Sequence, residues 1–143
     1  MDKQKVRPLD EERESRSLLS NAVVILHLIL GTLPILLVVW AIITPSWMRH
    51  ILNEHTLPRF VKYGINVFGI DASLPKKEIA EKAIDATYAF FESIGIPMHL
   101  RKVGIDESRI DEMARHIAVN EGLEHAYAPL NEQDIKEILV ASL

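Results

Sequence analysis

The amino-acid sequence predicts an all-α fold. After Thr44 apolar residues recur at spacings of three and four, Pro and Gly fall at the ends of those runs, and no stretch alternates apolar with polar residues as a half-buried strand would. The pattern predicts a helical bundle preceded by one long hydrophobic helix. It divides into a charged, disordered arm over 1–20, a hydrophobic segment over 21–44 and a helical domain over 45–143.

The arm interleaves Lys3, Lys5, Arg7, Arg13 and Arg16 with Asp2, Asp10, Glu11, Glu12 and Glu14, and offers little to bury. From Ala22 to Thr44 no residue is charged. As a helix this run would be about 34 Å long, enough to cross a hydrocarbon layer of roughly 30 Å, so a transmembrane helix is one reading. Gly31, Pro34 and His27 weaken it, and the other reading gives Ile42 and Ile43 to the domain that follows. The segment makes a poor signal peptide, since Pro45-Ser46-Trp47 follows it in place of a small-residue cleavage site.

Beyond Thr44, Pro45 suits a first helical position, and Trp47, Ile51 and Leu52 share a helix running to Glu54. Leu57 to Phe68 is the next helix, with Gly69 as its stop. Pro75 to Ile94 is the longest, with Ser73 as its cap, Glu78 in its first turn and Gly95 past its end. Its stripe of Ile79, Ala83, Thr87, Phe90 and Ile94, widened by Ala80, Ile84, Tyr88 and Phe91, predicts a central strut buried on a broad face. Ile96-Pro97 then sends Met98 to Gly104 into an extended link. Asp106 caps a helix to Asn120 with Gly122 as terminator, and Asn131 caps a last helix from Glu132 to Ser142.

Composition narrows the function. A chain of 143 residues holds one sizeable core but not both domains of a nicotinamide-dependent dehydrogenase. With no Cys there is no disulfide, thiolate nucleophile or Cys-ligated metal. Sixteen Lys and Arg against twenty Asp and Glu, without a basic stripe, give no nucleic-acid surface. His50 and His55 are five residues apart, which places them on different sides of a helix, and the histidines read as solvated or capping. Glu112 lies one turn from His116 and forms a solvated acidic face with Glu107, Asp111 and Glu121. Phe90-Phe91 reads as core, and the glycines terminate helices without forming a phosphate-cradling loop. No residue is assigned a catalytic, cofactor-binding or metal-ligating role.

Four segments bring in a resemblance. AIITPSWMRHIL at 41–52, RFVKYGINVFGI at 59–70, AIDATYAFFESIGIPMHLRKVGID at 83–106 and YAPLNEQDIKEIL at 127–139 run in order and with natural spacing. Together they resemble the C-terminal part of iron-containing alcohol dehydrogenases, particularly the butanol dehydrogenase branch. The resemblance implies a helical, cytoplasmic module of an enzyme that passes hydride between NAD(P) and an alcohol, with iron or zinc held by one Asp and three His. The last family His would correspond to Leu36 and an earlier one to a position near Ala22; His27 is misplaced to substitute, and no ligand transfers. No cofactor is therefore expected on this chain. The expectation is a fragment, inactive alone, that forms homo-oligomers or binds a separately encoded N-terminal half. The sharp loss of resemblance before Ala41 fits a reading-frame disruption or gene rearrangement. The rival expectation is a small membrane-anchored interaction module held by 21–44.

Overall fold

The computed structural model describes residues 35–120 and 122–143. The arm over 1–20 and most of the hydrophobic segment, 21–34, lie outside the described residues, as does Glu121. Val38–Leu143 forms one compact unit. The described residues are helical throughout, with no strand: α1 over 35–50, α2 over Leu57–Phe68, α3 over Lys76–Ser93, α4 over Glu107–Asn120 and α5 over Glu132–Val140. Among them, no helix is long and apolar enough to cross a membrane.

The first departure from the sequence pattern is at Pro45, which sits inside α1 and not at its start. A proline there removes one N–H and crowds the carbonyl a turn earlier, a cost of about 3 kcal/mol that needs an offset. Burial supplies it, because Pro45 is fully enclosed together with Ala41, Ile42 and Met48 on the same face. Thr44 donates its hydroxyl to the Trp40 carbonyl at 2.8 Å. Val38, Val39 and Ile43 pack against the same core, so the helical unit draws in the end of the hydrophobic segment.

A polar knot turns the chain from α1 into α2. Thr56 is 1% exposed; its Oγ1 donates to the Ile51 carbonyl at 2.7 Å and accepts from the Asn53 N–H at 2.9 Å. The Asn53 side chain accepts from the N–H groups of His55 and Thr56. Every polar atom of this buried corner is thereby paired locally. At the far end of α2, Gly69 adopts φ 65° and donates to Ile65 O while Ile70 donates to Gly64 O, closing the helix with a left-handed glycine as expected.

α2 packs on α3, and α4 packs on α5. The first pair meets at Gly64, where a Cβ would lie 3.0 Å from Ile79 Cγ2 and 3.1 Å from both Ala83 Cβ and Ile79 O. Tyr63 and Thr87 join hydroxyls across the pair at 2.9 Å. Ser73 does not cap α3; its N–H is held by Asp71 in the preceding turn, and Pro75 occupies the cap position without a side-chain bond. Burial along α3 also stops short of the prediction. Ile79, Ala80, Ala83, Ile84 and Thr87 are enclosed, whereas Phe90 and Ile94 are 53% and 59% exposed.

The link after Pro97 is a 3₁₀ turn over Leu100–Val103, not an extended strand. Leu100 is wholly buried, and its N–H donates to Ser142 O at 2.9 Å, which draws the link inward to meet the C-terminus. Asp106 caps α4 through Ser108, and Arg101 pairs with Glu107. Asn131 caps α5 in a reciprocal box with Asp134. The central core takes residues from every helix: Ile42 and Met48, Phe60, Ala80 and Ile84, Ile110 and Ala114, and Ile135, Ile138 and Leu139.

Three outcomes follow from these contacts. Thr56→Val keeps the shape but takes the hydroxyl partner from the buried Ile51 carbonyl and the part-buried Asn53 N–H; it lowers unfolding free energy in urea by about 1–3 kcal/mol, and Thr56→Ser restores most of that. Gly64→Ala gains up to about 1 kcal/mol of helix propensity, yet the crowding against Ile79 O costs about 1–3 kcal/mol, so the net change is a lower melting temperature. Acid sensitivity follows from carboxylates. Hydrogen bonds from Ser108 hold Asp106 below the ordinary range, and Lys136 does the same for Asp111 by a hydrogen bond and its charge. Folded values below the unfolded ones mean that this stability is present at neutral pH and is lost as pH falls through and below the ordinary carboxylate range near ~4. The urea midpoint measured from pH 6 to pH 3 falls less steeply in Ser108→Ala, because that change brings Asp106 closer to its unfolded value.

Candidate functional site

Polar side chains with tertiary partners gather where α1 faces α3 and α5. Arg49 reaches across to Asp85 with Nη2 to Oδ1 at 2.5 Å. His50, a quarter exposed, presents Nε2 to Asp134 Oδ1 at 3.2 Å and Nδ1 to Glu137 Oε2 at 4.0 Å. Asp134 is held in turn by the cap, its Oδ2 accepting the Asn131 N–H at 2.9 Å. A shallow open groove lies beside the first pair, lined by Arg49, Leu52, Lys77, Glu81, Ile84 and Asp85.

A second cluster sits at the start of α2. Arg59 lies over the Tyr127 ring, 3.9 Å from its centroid, and His55 stacks on the same ring at 5.0 Å. Tyr127 donates its hydroxyl to the His55 carbonyl at 3.3 Å. This sandwich ties the loop before α5 to the corner before α2 at a partly wet surface.

The structure separates the histidines weighed in the sequence. His50 and His55 enter different clusters, His99 is exposed before the 3₁₀ turn, His116 is exposed on α4 and His125 is exposed in the short 3₁₀ turn Leu123–His125. His27 and Glu121 lie outside the described residues. Glu107, Asp111 and Glu112 are exposed and take ion pairs with Arg101, Lys136 and Arg109. Phe90, read as core, is exposed; its ring lies 5.5 Å from that of Phe91.

His50 comes nearest to a chemical constellation. A carboxylate-oriented imidazole can act as a base when a nucleophile or substrate proton stands at its other nitrogen. Here that nitrogen faces Glu137, so the arrangement clamps α1 to α5. A divalent metal needs several donors converging on one point at roughly 2.0–2.2 Å. His50 directs its two nitrogens to separate carboxylates, and among the described residues no three His, Asp or Glu side chains converge. The described residues do not fit the metal implied by the resemblance. Neither tie had a local signal in the sequence: His50 and Asp134 are 84 residues apart, and Arg49 and Asp85 are 36 apart.

The chain is similar to known proteins over most of its described residues. NADH-dependent butanol dehydrogenase A of Clostridium acetobutylicum is 46% identical over 103 residues, covering 71% of this chain and 26% of that protein. NADH-dependent butanol dehydrogenase B of the same organism is 39% identical over 105 residues, covering 72% and 27%. The probable NADH-dependent butanol dehydrogenase 1 of Bacillus subtilis is 36% identical over 104 residues, covering 72% and 26%. The chain thus spans about a quarter of the length of these relatives. Residues 38–143 match the family described as Fe-containing alcohol dehydrogenase, C-terminal, and the matched range coincides with the compact unit Val38–Leu143. The chain belongs to the Fe-containing alcohol dehydrogenase family, matching its C-terminal, helical part.

Proposed function

We propose that residues 38–143 are the helical C-terminal module of an NADH-dependent oxidoreductase acting on alcohols of the butanol class, and that turnover needs polypeptide beyond the described residues. One observation carries the reading: the family match begins and ends with the compact unit, at 46% identity to a butanol dehydrogenase. Removing hydride from an alcohol carbon requires a nicotinamide held against that carbon and a group that stabilises or accepts charge at the alcohol oxygen. In this reading nucleotide and metal are held elsewhere, by sequence of the kind that fills the other three quarters or so of the relatives. The module supplies a dry, rigid helical wall. His50 with Asp134 and Arg49 with Asp85 serve as struts that fix α1 against α5 and α3. A polypeptide equivalent to the rest of such a relative is the partner this assigns.

The test uses the purified full chain with NADH and butyraldehyde, followed by the loss of nicotinamide absorbance. The expected outcome is no turnover above buffer and no tightly held iron or zinc after gel filtration. Mixing in a polypeptide that covers the remaining part of butanol dehydrogenase A is expected to restore NADH oxidation. Turnover by the chain alone, with bound metal, would overturn the need for further polypeptide; an inactive mixture containing a stable complex would overturn the module's competence.

A further inference from the structure

We draw no further inference here: the strongest candidate, the His50 side chain set between Asp134 and Glu137 where α1 meets α5, belongs to the site already described, with both ring nitrogens turned to carboxylates of α5.

Discussion

The close approach of α2 to α3 at Gly64 is the constraint around which the rest of the fold is arranged. With no side chain on Gly64, the backbone of α2 settles against Ile79 and Ala83, and both of those residues are shut away from water. A larger residue would push α3 outward and with it Ala80 and Ile84, which belong to the central core. Packing at this density is intolerant of small shifts, so an approach measured in tenths of an ångström reaches helices that never touch Gly64. The hydroxyl pair of Tyr63 and Thr87 sets the rotation of α2 and α3 at the same level.

What could be read from the sequence was whatever is decided within a few residues. Asn131 with Asp134, Asp106 with Ser108 and the left-handed Gly69 all act across one turn, and each stands where the local pattern put it. Ser73 shows the limit of the same logic, because Asp71 two residues earlier holds it in a turn of its own and Pro75 has no N–H to offer a capping side chain. Phe90 and Ile94 mark a second limit. Periodicity says which residues of a helix share a face, but how far a neighbouring helix covers that face is a tertiary fact. Pro45 failed as a boundary marker for a similar reason: propensity disfavours it inside a helix, and burial among Ala41, Ile42 and Met48 overrides propensity.

The polar ties were invisible because they join distant parts of the chain. Nothing near His50 announces Asp134, and nothing near Arg59 announces Tyr127. Both ties are formed on the surface of helices already fixed by the core, and such exposed or half-exposed ion pairs contribute little free energy each. Their value lies in orientation, since each links a helix end or corner to a partner far along the chain. That is a structural role. The resemblance could be read from four ordered segments because those segments hold residues of the core: Ile42 and Met48, Phe60, Ile84 and Leu100, and Leu130, Ile135 and Ile138.

Residues 35–37 show how a helix outlasts its packing. Ile35, Leu36 and Leu37 are helical although all three are exposed, so burial does not explain their conformation. Helix growth from an existing turn adds a hydrogen bond for each residue ordered, whereas starting a helix costs several residues' freedom for the first bond. In α1 the costly step is met by the turns from Ala41 to Met48, anchored in the core, and the preceding residues extend a helix already begun. Leu and Ile carry only small propensity penalties, and no glycine or proline interrupts 35–37, so extension there proceeds without burial. Regular secondary structure at 35–37 therefore reports the strength of the adjoining anchor, in which Val38 and Val39 already pack against the core.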